Sequence, residues 1–172
     1  PGGLELDCSA IAKGLAVDLV SQQLLRYGFS SHLVEIGGEL RGTGVKPDAQ
    51  PWWVALEPPA AGAQMDETVI ALCDHAVATS GDYRRTFEQA GQRFAHTIDP
   101  RTGRPVDNDL AAVTVISKEC WQADAISTAL MVMGADDGCA YADRHGIAAR
   151  FARRTEAGYR ETHSRTWDDM LL

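Results

Sequence analysis

The sequence lacks several features that would place it in other protein classes. No apolar run approaches the roughly 20 residues that a membrane-spanning helix needs, and residues 1–5 lack the basic start and apolar core of a secretion signal. Basic residues are also scarce, with 16 Lys and Arg against 24 Asp and Glu and no dense basic run. A protein that binds a nucleic-acid backbone needs a basic face, so no nucleic-acid partner is expected.

The four cysteines are few and scattered. They form no CxxC pair and no Cys/His cluster at zinc spacing, so we expect ordinary, mostly buried thiols rather than a disulfide framework. Hydrophobic residues at 45% and charged residues at 23% match globular averages, which excludes disorder as the main property of the chain. The length of 172 residues suits one domain or a large piece of one.

Apolar periodicity and turn residues predict an α+β fold with a mostly antiparallel sheet and a few packed helices. Helices are predicted over about 11–27, 121–133 and 136–145, each followed by a glycine. Residues 99–108, with two prolines and a glycine, are predicted to be a loop. Strands are predicted over 4–7, 32–36, 39–43, 52–56, 68–72, 75–79, 83–88, 93–98, 110–117, 147–153 and 159–162.

Residues 7–14 form the first segment that could carry chemistry. A strand ends in Asp7, a turn of small residues follows, and a helix begins with Lys13 in its first turn. Exposed N–H groups at a helix start favour an anion such as phosphate, and a lysine adds a positive charge. The alternative is plain capping by Asp7 or Ser9 with a solvated Lys13, and spacing alone favours this alternative.

Asp124 and Thr128 form a second candidate site. They are four residues apart on a predicted helix, so they project from the same face. Carboxylate and hydroxyl oxygens are hard ligands that suit Mg²⁺, which often completes its shell with water and phosphates. The alternative is an acidic residue near a helix start and a threonine that bonds the preceding turn. For this pair taken alone, the alternative is favoured.

Two polar segments follow short strands. Residues 96–105 carry His96 and two arginines on a proline-shaped loop that suits a lid or wall for a ligand, and an ordinary turn is an equally good interpretation. Residues 78–82, from Ala78 to Asp82, form a small strand end that bears hydroxyl groups, or a simple turn before the next strand.

Taken together and in order, these segments resemble the ApbE family of FAD:protein FMN transferases. The matching pieces are residues 6–14, 34–38, 78–83, 96–105 and 123–134. The resemblance implies a T-fold-type flavin transferase domain. It also implies an enzyme that uses Mg²⁺ to cleave FAD, moves FMN onto a Ser or Thr hydroxyl of a target protein and releases AMP.

The resemblance also implies roles for individual residues. Asp7 and Lys13 would contact the flavin nucleotide, and Ile98 would contribute to its pocket. His96 is the candidate for assisting removal of the proton from the acceptor hydroxyl, since a histidine can take a proton near neutral pH. A strand histidine that is bonded to backbone is an equally good interpretation of His96.

The Mg²⁺ ligands implied by the resemblance are Asp124, Thr128 and the backbone carbonyl of Ala10. Asp124 is also assigned a catalytic role, because a metal held there would neutralise the negative charge that grows when a pyrophosphate is split. In an acidic protein without a basic patch, this neutralisation would depend on the metal and on Lys13.

The chain matches the C-terminal part of the family pattern, so residues 1–172 are expected to be a single domain or the C-terminal portion of a larger flavin transferase domain. The implied partners are FAD, an acceptor redox protein with a target Ser or Thr, and the N-terminal half of the same protein. The alternatives are an Mg²⁺-dependent FAD pyrophosphatase and a flavin-binding domain without catalysis. The family suggests the bacterial periplasm or a membrane anchor, with the cytoplasm as the alternative.

Overall fold

The computed structural model describes residue 3 and residues 7–59, 67–82, 86–89 and 92–170. The helices in this part of the chain are α1 (Ala12–Arg26), α2 (Cys120–Met133), α3 (Ala135–His145) and α4 (Arg165–Met170). The strands are β1 (His32–Ile36), β2 (Glu39–Thr43), β3 (Trp52–Ala55), β4 (Val69–Leu72), β5 (His75–Gly81), β6 (Thr86–Gln89), β7 (Gln92–Ala95), β8 (Ile98–Asp99), β9 (Arg104–Pro105), β10 (Leu110–Ser117), β11 (Ala148–Thr155) and β12 (Gly158–His163). None of the helices in these ranges has the length and apolar character required to cross a membrane.

A six-stranded sheet forms the centre of the fold. Its strand order is β1-β2-β5-β10-β11-β12, and every neighbouring pair is antiparallel. The short hairpins β3–β4, β6–β7 and β8–β9 are each antiparallel pairs outside this sheet. The predicted fold class, α+β with a mostly antiparallel sheet and a few packed helices, is therefore confirmed.

Both faces of the sheet are covered, which buries strand β10 on its two sides from Leu110 to Val115. On one face Val113 and Val115 pack with residues of α2 and with Phe151 of β11. On the other face the β3–β4 hairpin and α4 supply a second apolar cluster around Trp167, which is fully buried. Because side chains alternate along a strand, this layering decides which residues of β5 face α2.

The helices and most strands lie where the sequence predicts them. The helix predicted over 11–27 is α1, and those predicted over 121–133 and 136–145 are α2 and α3. The strands predicted over 32–36, 39–43 and 110–117 have the observed bounds, and the other strands predicted from residue 32 onward have counterparts with shifted ends. Residues 83–85 of the strand predicted over 83–88 lie outside the described residues. Residues 4–6 of the strand predicted over residues 4–7 lie outside the described residues. Asp7, which the structure describes, is not in a strand.

Three local features add to the predictions. Gly37 and Gly38 form a two-residue hairpin turn between β1 and β2 at φ 64° and 102°, a conformation that glycine adopts without strain. The predicted loop 99–108 contains the short β8–β9 pairing. Helix α4 was not predicted, since six residues are too few to show a helical period; tertiary burial of Trp167 holds it in place.

Helices α1 and α2 cap each other. The buried Asp18 of α1 accepts hydrogen bonds from the N–H groups of Cys120 and Trp121 at 3.0 and 2.9 Å, at the start of α2. In return, Asp124 of α2 accepts the N–H of Gly14 at 2.9 Å, in the first turn of α1. Neither helix has a side-chain bond from its own N-cap residue, so each depends on the other for the amides that a helix start leaves unpaired.

Replacement of Asp18 by alanine is expected to destabilise the fold by about 3–5 kcal/mol. The change removes the acceptor of two buried N–H groups and leaves Arg41, which pairs with Asp18 at 2.6 Å, without that carboxylate. Urea denaturation measures the loss. The control is Glu156→Ala, at an exposed turn position, for which we expect about 0.5 kcal/mol or less. Similar losses for both variants would contradict the capping role.

Gly14→Ala is expected to destabilise the protein although alanine is the better helix former by about 1 kcal/mol. A Cβ at Gly14 would lie 2.4 Å from the carbonyl oxygen of Cys120, so the two helices would have to move apart. Gly138→Ala is the graded comparison, because its Cβ would be 3.0 Å from the ring of Phe151, a less severe approach. Thermal unfolding should rank Gly14→Ala below Gly138→Ala, and the reverse order would contradict the close helix approach.

Candidate functional site

Two segments that carry predicted site residues, the start of α1 and the middle of α2, meet at a hydrogen bond between Gly14 and Asp124. Asp124 is only 3% exposed, and its Oδ2 accepts the Gly14 N–H at 2.9 Å. In a regular helix this N–H would bond the carbonyl four residues earlier, which is that of Ala10. None of the described backbone N–H groups outside regular elements donates to the Ala10 carbonyl. The bond to Asp124 therefore leaves that carbonyl available to another partner.

Lys13 forms an ion pair with Glu39, a residue that was not among the predicted site residues. The lysine side chain is 43% exposed, whereas the Glu39 side chain is 2% exposed. The alternative of a solvated Lys13 therefore omits its partner, because the ammonium is paired although the side chain stays partly exposed. The hairpin turn packs against the pair, since a Cβ at Gly37 would lie 3.5 Å from Lys13 Cδ and 3.7 Å from Glu39 Oε2.

Glu39 carries an unsatisfied buried oxygen, because its Oε2 has no hydrogen-bond partner. Burial raises the pKa of this carboxyl above its ordinary value, Lys13 opposes the rise, and the nearby charge of Asp124 adds to it. Two buried carboxylates, Glu39 and Asp124, are thus close enough to interact, and among the described ion pairs only Glu39 is paired with the partly exposed Lys13. This excess of negative charge fits a site that attracts a cation.

Thr128 lies one helical turn after Asp124 and belongs to a group of three hydroxyls. Its Oγ1 is 3.3 Å from the Asp124 carbonyl, which agrees with the alternative of a threonine that bonds the preceding turn. The same Oγ1 is 2.8 Å from the Oγ of Ser80 on β5. Ser80 Oγ is also 2.8 Å from the Oγ of Ser127, which donates to the Asp124 carbonyl at 2.9 Å. These contacts tie β5 to the predicted metal-binding turn of α2.

Asp7 does not cap helix α1. Its Oδ1 accepts the N–H of Ser9 at 2.8 Å and the Ser9 hydroxyl at 2.5 Å, which closes a local turn. These bonds lower the pKa of Asp7 below its ordinary value. The first helix amides bond the Cys8 carbonyl and Asp124 instead, so the capping alternative for Asp7 and Ser9 is wrong. Asp7 is exposed and keeps its second carboxylate oxygen outside these bonds.

The segment that carries His96 and Ile98 leads into the short strand β8 and the turn that follows it. Both residues are exposed, and Ile98 lies on β8. The turn after it is held by Asp99, which accepts the N–H of Arg101 at 2.9 Å and pairs with its guanidinium. Among the described contacts, none joins His96 or Ile98 to Asp124, and the roles predicted for these two residues stay predictions.

The predicted Mg²⁺ ligands fit that ion by their chemistry. A carboxylate, a hydroxyl and a backbone carbonyl are all hard oxygen donors, and the Gly14–Asp124 bond links α2, which carries Asp124 and Thr128, to the start of α1, which follows Ala10. The described residues contain no group of three His, Cys, Asp or Glu side chains that could hold a metal ion. A site here would therefore rely on one carboxylate, with further positions for water or phosphate.

The cysteines offer no competing chemistry among the described residues. All four are free, with Cys120 buried, Cys139 half-buried, and Cys8 and Cys73 exposed, so the prediction of mostly buried thiols is wrong for the last two. Burial raises the pKa of the Cys120 thiol, and the charges of nearby carboxylates add to the rise, so this thiol stays protonated.

A shallow cleft of about 320 Å³ lies elsewhere, between the ends of β10 and α4. Its lining includes His75, Lys118, Ile126 and Met170, and none of the predicted site residues. The candidate site therefore lies outside this cleft.

Two neighbours of the site, Glu39 and Ser80, were missed as individual residues. Glu39 directly follows the Gly37-Gly38 turn, one residue beyond a segment that matched the family pattern, and Ser80 lies inside another matching segment. A carboxylate that begins a buried strand is a signal that could have identified Glu39.

The fold and site define an α+β domain with a carboxylate and hydroxyl site between two mutually capped helices. The chain belongs to the ApbE family, whose family model matches residues 1–151. The resemblance inferred from the sequence segments is thus confirmed.

Curated relatives carry the name FAD:protein FMN transferase. The protein from Vibrio cholerae serotype O1 is 43% identical over 168 residues, which cover 98% of this chain and 50% of the relative. The protein from Haemophilus influenzae is 41% identical over 155 residues, 90% of this chain and 45% of the relative. The chain therefore spans about half the length of the curated relatives it matches.

Solved structures agree with this family assignment. The apo form of the Pseudomonas stutzeri flavinyl transferase ApbE superposes with a TM-score of 0.86 at 47% identity, over 97% of this chain and 51% of the other. The ApbE protein of Thermotoga maritima superposes with a TM-score of 0.83 at 33% identity, over 98% of this chain and 54% of the other.

The variant Glu39→Gln is expected to be more stable than the wild type at pH 7, because it keeps the shape of the side chain and removes a buried charge. The raised pKa means that the folded protein binds the Glu39 proton more tightly than the unfolded chain does. The wild type therefore gains stability from this group as the pH falls toward and below 4.5, the ordinary pKa, and the advantage of the variant should shrink.

Thermal unfolding of both proteins between pH 7 and pH 4 measures this effect. Glu35→Gln, exposed on the same hairpin, controls for the loss of a carboxylate from these strands. A Glu39→Gln protein that is less stable at pH 7 would show that the ion pair with Lys13 outweighs the cost of burial.

Proposed function

We propose that this chain forms the metal- and phosphate-binding part of an FAD:protein FMN transferase. The whole enzyme moves FMN from FAD to a Ser or Thr hydroxyl of a target redox protein and releases AMP. Family membership and the names of the relatives support this proposal. The observation that carries it is the 2.9 Å bond from Gly14 to Asp124, which joins the start of α1 to the hydroxyl-bearing face of α2.

The residues at this junction bind and orient the pyrophosphate of FAD. The Ala10 carbonyl, Asp124 and Thr128 would hold Mg²⁺, which would supply positive charge against the charge that develops on the pyrophosphate oxygens. Lys13 adds a second positive charge, and its ammonium is tethered by Glu39 while its side chain remains 43% exposed to a ligand.

The transfer step balances as a displacement at phosphorus. The acceptor hydroxyl oxygen attacks the phosphorus of the FMN part, the bond from that phosphorus to the bridging oxygen breaks, and AMP leaves with this oxygen. The proton of the hydroxyl goes to the imidazole of His96, which is exposed two residues before β8 and therefore accessible to a protein acceptor.

Other parts of the nucleotide are assigned to more distant residues. Ile98, 48% exposed, offers an apolar surface to the flavin, and Asp7 offers a carboxylate to its nucleotide part. Because the chain spans about half of its relatives, we assign the remaining walls of the FAD pocket to the N-terminal half of the same protein. The resemblance predicts a periplasmic or membrane-anchored protein, with the cytoplasm as the alternative. This compartment stays a prediction.

The variant Asp124→Asn tests the proposal, since it keeps an oxygen for the Gly14 N–H and removes the charge that a cation needs. With FAD, Mg²⁺ and a redox acceptor protein, we expect covalent flavin transfer to fall about 100-fold or more. Flavin fluorescence of the acceptor on a denaturing gel and AMP release measure the reaction. The control is Asp137→Asn, an exposed acidic residue of α3, which should leave the rate unchanged.

The outcomes separate the alternatives. Undiminished transfer by Asp124→Asn would show that the metal assignment is wrong. FMN and AMP formed without a labelled acceptor would identify a pyrophosphatase, and FAD binding without AMP would identify a flavin-binding domain that has no catalysis.

A further inference from the structure

The hydroxyl of Ser80 lies between β5 and the predicted metal-binding turn of α2. Ser80 is on the face of β5 that packs against α2, and its Oγ is 2.8 Å from both Ser127 Oγ and Thr128 Oγ1. Ser127 and Thr128 in turn both reach the Asp124 carbonyl. Four close contacts thus connect three hydroxyl groups and one carbonyl.

Three hydroxyl protons cannot make all four contacts into hydrogen bonds, because each hydroxyl donates once and a carbonyl only accepts. The contact from Thr128 to the Asp124 carbonyl is the longest at 3.3 Å, beyond the usual range for O–H···O bonds. The arrangement that keeps the three short contacts runs in one direction. Thr128 donates to Ser80, Ser80 donates to Ser127, and Ser127 donates to the Asp124 carbonyl.

This direction has a consequence for Thr128. Its proton points toward Ser80, so both lone pairs of its oxygen remain available on the other side. A hydroxyl that binds a cation must present lone pairs and direct its proton away. Ser80 is the acceptor that takes this proton.

We infer that Ser80 is a positioning residue for a divalent cation, which it serves by accepting the Thr128 proton and orienting the Thr128 oxygen toward the ion. The inference rests on the proposed function, since it takes Asp124 and Thr128 as the cation ligands. It adds a residue of β5 that contacts neither the cation nor the substrate. Partners of this kind usually change metal affinity 10- to 100-fold when they are removed.

The neighbouring residue of β5 provides a matched control. Thr79 Oγ1 is 2.9 Å from Thr114 Oγ1 on β10, so it also makes a hydroxyl–hydroxyl contact. Thr79 points to the opposite face of the sheet, because successive residues of a strand alternate. Thr79→Val therefore removes one buried hydroxyl contact from the same strand without touching the α2 hydroxyls.

The test is the titration of Mn²⁺ into the wild type, Ser80→Ala, Ser80→Thr, Thr79→Val and Asp124→Asn, with free Mn²⁺ measured by electron paramagnetic resonance. We expect Ser80→Ala to bind Mn²⁺ about 10-fold more weakly or worse. Ser80→Thr, which keeps the hydroxyl, and Thr79→Val should bind Mn²⁺ within about 3-fold of the wild type, which is a smaller change than the loss expected for Ser80→Ala. Urea denaturation of each variant reports whether the fold is retained.

The results distinguish this inference from the proposed function. If Asp124→Asn loses Mn²⁺ while Ser80→Ala binds it as the wild type does, the role of Ser80 is overturned and the metal assignment stands. Equal weakening by Ser80→Ala and Thr79→Val would also overturn it, since the effect would then be general to the strand. If the wild type binds no Mn²⁺, the metal assignment fails and the role of Ser80 fails with it.

Discussion

Mutual capping of helices α1 and α2 is the interaction on which the rest of the site depends. Asp18 pairs the first amides of α2, and Asp124 pairs an amide in the first turn of α1. Gly14 permits this because any side chain there would collide with the Cys120 carbonyl. The two helix starts are thereby held side by side, with Asp124 bonded to the first turn of α1.

This arrangement concentrates buried charge. Asp18, Glu39 and Asp124 are all nearly inaccessible to water. Among the described residues, only Arg41 and Lys13 form ion pairs with these carboxylates. Burying carboxylates costs stability unless they are paired, so an acidic cluster of this kind is a poor device for folding alone. A bound cation would relieve the cost, which is why the electrostatics and the proposed function agree.

Much of the secondary structure was predictable because it depends on local patterns. Apolar spacing followed by glycine predicted α1, α2 and α3, and the alternation around Val113 predicted β10. Predictions failed where a distant residue replaced a local partner. Asp7 and Ser9 were reasonable caps for α1, yet the carboxylate that bonds Gly14 belongs to Asp124, 110 residues away. Helix α4 was missed because its stability comes from burial of Trp167.

The sequence by itself determined the α+β class, the positions of the long helices and the family, since these follow from periodicity, turn residues and ordered motifs. Only the tertiary structure decided that Lys13 pairs with Glu39 and that Ser80 meets Thr128. The physical reason is that side-chain direction on a strand or helix is local, whereas the partner it meets is set by how sheet and helices pack. The chemistry of single residues was visible in the sequence, and their cooperation required the fold.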